Sequence, residues 1–422
     1  MLLFIALVLA PATRGDARDY DQDMRTLAER KDVQEAFRVI ESLEAVSESE
    51  LIELTEIPAP PYQESKRARR FASMLRDAGM ADVAIDEQGN VLTRWHGTTG
   101  ARTVALVAHL DTVFPAGTDV EVRREGDKLF APGVGDNSRG LVVMLSLIKA
   151  MRASRIATRD DILFVASVGE EGIGDLRGVK YLHRAGGPQI DEFIAIDGGS
   201  DERVVNHAIG SIRYRLVFNG PGGHSWGAFG LANPAHALSR AIYYFDLEAS
   251  DFVESGIRTS YNIGRVGGGT SVNSIPFESW AEVDMRSENP ARLELIDAIF
   301  HRCVARALEE TNDQRDRGEP LSVDVETLGR RPSGIVAPET PLIQRAMAAT
   351  RYFGIEPELG SGSTDANVAI ALGIPATTIS RGGSSGGAHS LDEWWSGVDG
   401  HIGIQKALLI TLASTGVVDQ QR

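Results

Sequence analysis

The chain has 422 residues, 42% hydrophobic and 24% charged, a balance that excludes a disordered or membrane-embedded polypeptide and leaves room for two or three cored domains. Its formal charge of -16, with no basic stripe along the chain, argues against a phosphate backbone as partner, so no nucleic acid is expected. The single cysteine, Cys303, lies in the apolar run IFHRCVARAL, which rules out an intrachain disulfide and assigns the thiol to core packing.

The first apolar run, LLFIALVLAPA, ends in Ala10-Pro11-Ala12 and suits the core and cleavage site of an export signal. Residues 1–20 are therefore read as an export signal or an N-terminal arm, with a periplasmic or secreted protein expected, or a cytoplasmic one if the run is no signal. The run is too short for a stable membrane span, which needs about 20 apolar residues. A charged helical stretch follows at 33–45. Beyond it, short apolar runs at 103–108 (TVALVA), 162–168 (ILFVASV), 193–196 (FIAI) and 376–380 (ATTIS) read as strands covered on both faces. Helices are predicted at 64–78, 140–151 and 342–350 from apolar spacing and polar starts. The pattern is α/β: a catalytic domain with a central, mostly parallel sheet flanked by helices.

Residues 211–328 read differently. Strand IRYRLVFNG, helix ANPAHALSRAIYYF, strands YNIGRVGGG and SWAEVDMRS, helix ARLELIDAIFHRCVARALEE and strand LSVDVETLG give the β-α-β-β-α-β order of a ferredoxin-like α+β unit. The expected organisation is a catalytic domain in two parts, 21–210 and 329–422, interrupted by a lid domain at 211–328.

Polar residues fall where the predicted strands end. His109 and Asp111 follow the first, Glu170 and Glu171 the second, Asp197 the third, and His389 lies one glycine-rich loop beyond the fourth. In open α/β sheets the crevice at the carboxyl ends of strands is where ligands bind. Several carboxylates gathered there cannot all stay ionised without cations between them. Mixed imidazole and carboxylate donors point to Zn2+, with Co2+ or Mn2+ as substitutes, and two neighbouring ions need a bridging carboxylate. Asp136, at a helix start in GVGDNSRG, is the candidate bridge, and a plain helix cap is its bland alternative. Positions i and i+2 of a strand end point the same way, so Asp111 is expected behind His109, holding its imidazole in the metal-binding tautomer. Glu170 and Glu171 are adjacent and point to opposite sides, so one can ligate metal while the other acts as general base.

From about residue 47 to the end, the chain resembles the co-catalytic zinc metallopeptidases that include glutamate carboxypeptidase, peptidase T, succinyl-diaminopimelate desuccinylase and aminoacylase. The motifs that carry the resemblance are HLD at 109–111, GVGDNSRG around Asp136, GEEG around Glu170 and Glu171, Asp197, GGHS around His224 and the final AHS at His389. The resemblance implies that His109 and Asp197 bind one zinc, Glu171 and His389 the other, and that Asp136 bridges both. It implies Glu170 as the base acting on a metal-bridging water, and His224, reaching an active site often across a dimer interface, as the oxyanion donor. Asn273 and Arg286 look like the lid residues that hold the substrate carbonyl and terminal carboxylate. The implied substrate is a dipeptide, small peptide or N-acyl amino acid, and the implied assembly is a homodimer through the lid. Relatives commonly have lysine-glycine after the bridging aspartate; here Asn137-Ser138-Arg139-Gly140 follows, which leaves the subgroup open.

The bland reading, a packed or surface imidazole, is kept for His96, His183, His207, His236, His301 and His401. Residues 383–387 match a G-x-S-x-G nucleophile elbow at Ser385, but an elbow needs a helix straight after the serine, and AHSLDEWW does not read as one. The remaining alternative class is a binding protein on the same fold without turnover.

Overall fold

A computed structural model describes residues 18–419. Positions 1–17, which hold most of the expected export signal, lie outside the described residues. Among the described residues no helix is long and apolar enough to cross a membrane.

The larger sheet has nine strands. At its centre Asp161–Ser167, Thr103–His109, Glu192–Ile196 and Ala376–Ile379 lie side by side and parallel. The strands Val91–Trp95 and Arg203–Ala208 flank this group in antiparallel sense. Every residue of Thr103–His109 and Asp161–Ser167 is buried, as continuous apolar runs require when helices cover both faces. Two of the covering helices, Gly140–Ala153 and Gly400–Thr415, are themselves buried on nearly all sides and pack against each other and the first central strand. The expected strands and helices are all present within a few residues of their predicted ends, except that the first lid helix, read as ending at 245, continues to Val253. The charged stretch at 33–45 is the exception in shape: it forms Lys31–Ser42 and then a separate helix, Glu44–Thr55.

The interruption is a four-stranded antiparallel sheet in the order Thr259–Gly268, Glu278–Ser287, Gly210–Asn219, Ser322–Arg331, the order of a ferredoxin-like unit. Its strands alternate. Ile212, Tyr214, Leu216 and Phe218 face the helices Pro234–Val253 and Pro290–Asp313, and pack there with Phe245, Phe300 and Cys303. Each helix starts on an asparagine, Asn233 or Asn289, whose side chain accepts a main-chain N–H of the first turn, followed by a proline at the first helical position. The other face of this sheet carries Arg213, Arg215, Glu282, Asp284 and Arg286, all half-buried. Only Ile209 separates the lid's first strand from Arg203–Ala208, and its last strand leads almost at once into Gly334–Ile335 of the larger sheet. These two short crossings hold the charged face over the carboxyl ends of the parallel strands.

Candidate metal centre

Parallel register brings the strand ends level. His109 pairs with Ser167, three residues before Glu170, and Ile196, just before Asp197, pairs with Ile379. His389 arrives by another route, on a loop between the short strands Ser384–Gly386 and Trp394–Ser396 of a small separate sheet. Asp136 stands on the turn that opens the helix Gly140–Ala153, and the peptide between Asp136 and Asn137 is cis.

All five expected ligands converge. Donor atoms of His109, Asp136 and Asp197 lie within 4.8 Å of one another, and so do those of Asp136, Glu171 and His389. Asp136 belongs to both groups and offers each a different oxygen: Oδ1 is 3.2 Å from His109 Nε2, and Oδ2 is 3.4 Å from His389 Nε2. His389 Nε2 is 3.0 Å from Glu171 Oε1, and His109 Nε2 is 3.8 Å from Asp197 Oδ2. Although so close, the buried atoms His109 Nε2 and Asp136 Oδ1 have no hydrogen-bond partner. Buried polar atoms are rarely left so, and a divalent cation would satisfy both.

The charges are equally unbalanced. Burial pushes Glu171 up to about 7 and Asp197 up to about 6, the latter helped by repulsion from Asp136. Burial also works to raise Asp136, but Arg381 and the two imidazoles outweigh it and hold Asp136 well below the usual carboxylate range. His389 is raised to about 10 by its hydrogen bonds to Asp136 and Glu171. Burial alone would lower His109, yet the surrounding carboxylates lift it well above its ordinary value. Protons are held here by groups that a cation would deprotonate, which is the behaviour of a ligand set.

One expectation about this centre is corrected. Asp111 does lie behind His109, but the imidazole Nδ1 bonds its main-chain carbonyl at 3.0 Å, while the carboxylate stays 3.8 Å away. A carbonyl only accepts, so Nδ1 carries the proton and Nε2 is left with its lone pair toward Asp136. The chain turns after His109, and the Asp111 carboxylate instead accepts the N–H groups of Glu170 at 3.0 Å and Glu171 at 2.7 Å. It orients the two glutamates as well as, through its carbonyl, the histidine. Glu170 is further fixed by Arg331, whose Nη1 donates to its Oε1 at 2.9 Å and whose Nη2 donates to its carbonyl.

A cleft of about 610 Å³ opens over these groups. Its lid side is lined by Arg213, Asn262, Asp284 and Arg286, so Arg286 stands where a substrate would lie. His224 and Asn273 do not. Both are exposed on the lid, where Gly223–His224 and Ser274–Ile275 pair as a small two-stranded antiparallel sheet. His224 Nδ1 accepts the N–H groups of Trp226 and Gly227, and Asn273 accepts from Ser271. Within one chain they are not part of the cleft. Ser385 lies on a strand paired with Trp395, with no helix after it, so the elbow geometry is absent. Sequence reasoning missed Arg331, Arg381 and Glu393. Arg381 could have been found by the same rule as Asp197, since it follows the strand Ala376–Ile379 by two residues.

The model of the peptidase family M20/M25/M40 matches residues 105–413. The chain belongs to that family. As an M20/M25/M40 peptidase it is a metallopeptidase-class hydrolase of peptide bonds, and the donor groups above are its candidate metal ligands. It is 26% identical to YqjE of Bacillus subtilis over 356 residues, 79% of this chain and 89% of that protein. It is 25% identical to carboxypeptidase G2 of a Pseudomonas strain over 65% of each. Solved structures of the same fold include the aminopeptidase PepT of Bacillus cereus, with a TM-score of 0.69, 21% identity and coverage of 87% of this chain and 97% of that one. The dipeptidase Dug1p of Saccharomyces cerevisiae superposes with a TM-score of 0.72 at 16% identity, covering 91% and 98%.

Proposed function

We propose that this M20/M25/M40 peptidase hydrolyses the amide bond of a dipeptide, small peptide or N-acyl amino acid bearing a carboxylate next to the scissile bond, using two zinc ions. The observation that carries the reading is the Asp136 carboxylate, one oxygen toward His109 and the other toward His389, each imidazole accompanied by a further acid. His109 and Asp197 would hold one ion, Glu171 and His389 the other, with Asp136 between them. When bound, the two ions would polarise the scissile carbonyl and acidify water at neutral pH.

The chain's own residues do the rest. Glu170, whose donor atom also lies within 4.8 Å of those of His109 and Glu171, is assigned to the attacking water instead of a metal: with Oε1 anchored by Arg331, its other oxygen takes the water's proton and returns it to the leaving amine. Arg286, held by Asp284 through Nε, keeps its terminal nitrogens free to pair in two places with the substrate carboxylate. The proposed metal ligands and Glu170 all lie outside 211–328, which supports reading that segment as an inserted lid; the lid's last strand runs on to Arg331.

His224 and Asn273 fit the same scheme only in a second copy. They sit beside the exposed apolar side chains Trp226, Phe229 and Val272, a patch suited to a homodimer interface from which each lid would serve its neighbour. The test is metal analysis with a dipeptide and acyl-amino-acid screen, together with light scattering of the wild type and Trp226→Glu. Hydrolysis that survives complete chelation would overturn the metal reading, and a fully active monomer would remove His224 from it.

A further inference from the structure

The segment carrying His389 and the loop carrying Asp136 are far apart in sequence yet zipped together. The strand Trp394–Ser396 pairs with Lys128–Phe130, with Trp395 opposite Leu129. The ladder continues past the strands, since Ala131 N–H donates to the carbonyl of Glu393 at 3.1 Å. The Glu393 side chain then takes over. One carboxylate oxygen accepts the N–H of Gly133 at 2.9 Å, and the other accepts those of Gly135 at 2.9 Å and Asp136 itself at 2.8 Å. Glu393 is 1% exposed. The loop wraps it so closely that a Cβ on Gly135 would stand 3.1 Å from Glu393 Oε1.

Three main-chain donors converging on one buried carboxylate form a cradle that a neutral side chain cannot reproduce. A glutamine would keep one accepting oxygen but turn an N–H group toward another N–H. The last of the three bonds ends on the residue whose carboxylate faces both histidines, so the cradle fixes the backbone from which that carboxylate projects. We propose that Glu393 is a positioning residue of the metal centre: it sets how Asp136 presents its two oxygens and locks that loop to the segment bearing His389. The inference rests on reading His109, Asp136, Glu171, Asp197 and His389 as ligands of divalent ions. Neither ligand-bearing segment can then shift without the other, and both halves of the site form together.

Co2+ titration of the metal-free full chain tests this, by calorimetry and by the visible absorption of bound Co2+, which reports ligand geometry. Wild type, Glu393→Gln and Glu393→Ala are compared with Glu192→Gln. Glu192 is a buried acid paired with Arg345 at the opposite end of its strand from Asp197, and serves as a stability control. The expected result is a loss of Co2+ affinity of about 10–100-fold in Glu393→Ala with an altered absorption spectrum, and a smaller loss in Glu393→Gln. Glu192→Gln should lower the melting temperature while leaving affinity and spectrum as in wild type. If Glu393→Ala fails to fold, Glu393→Gln decides. Folded Glu393 variants with wild-type affinity and spectrum overturn the proposal alone; a wild-type chain that takes up no Co2+ overturns the metal reading and this proposal with it.

Discussion

At the rim of the parallel sheet, His109 and Asp136 lie 3.2 Å apart with no hydrogen bond between them, and buried acids crowd one another. Across the cleft on the lid, Asp284 accepts from Arg213 at 2.8 Å and from Arg286 at 2.7 Å, and Glu282 pairs with Arg215 and Arg265. At the rim, buried atoms are left without hydrogen-bond partners; on the lid, each of these carboxylates is paired with two arginines. The difference separates two tasks. Buried carboxylate and imidazole atoms without other partners are suited to holding a cation, whereas half-exposed, satisfied ion pairs stabilise little and instead hold side chains in place.

The sharpest way to break this contrast is to remove the cation. Exhaustive chelation is expected to abolish hydrolysis, with recovery on adding Zn2+, Co2+ or Mn2+, while Asp136→Asn stays inactive after metal is returned; turnover assays with metal analysis check both. Glu170→Gln should follow, with kcat lower by about 10²–10⁴-fold and metal content unchanged. Lid substitutions should act on binding. Arg286→Ala is expected to raise KM by about tenfold or more, from loss of a charged hydrogen bond of about 1.5–3 kcal/mol, leaving metal content intact. Asp284→Asn, which loosens Arg213 and Arg286 without removing either, should raise KM by a few-fold at most. A lid substitution that emptied the metal site, or a Glu170 variant that changed KM alone, would erase the distinction.

Much of the rim was legible because its strands are buried on both faces. Continuous apolar runs such as TVALVA announce themselves, and the first polar residue after each run must lie at the sheet edge. The rule failed where the chain bends. Asp111 was placed by strand geometry, but the turn after His109 swings its carboxylate to the backbone of Glu170 and Glu171. Glu393 was invisible because its three partners lie more than 250 residues earlier, and no local pattern marks a carboxylate that binds only main chain. The helix Gly400–Thr415 was unmarked for another reason: buried on nearly every side, it lacks the polar face by which helical periodicity is recognised. His224 and Asn273 were carried into the site by their motifs, but in the folded chain both are exposed on the lid and neither lines the cleft.

Arg331 closes the lid's final strand and at the same time grips Glu170. It sits beside the two short crossings that join the domains, opposite Ser211 in register. Any displacement of the lid about those crossings would pull on Glu170 through this contact. Two guanidiniums thus join the lid's sheet to the turn after the strand Asp161–Ser167: Arg331 at Glu170, and Arg213, whose Nη1 donates to the Gly172 carbonyl at 2.8 Å.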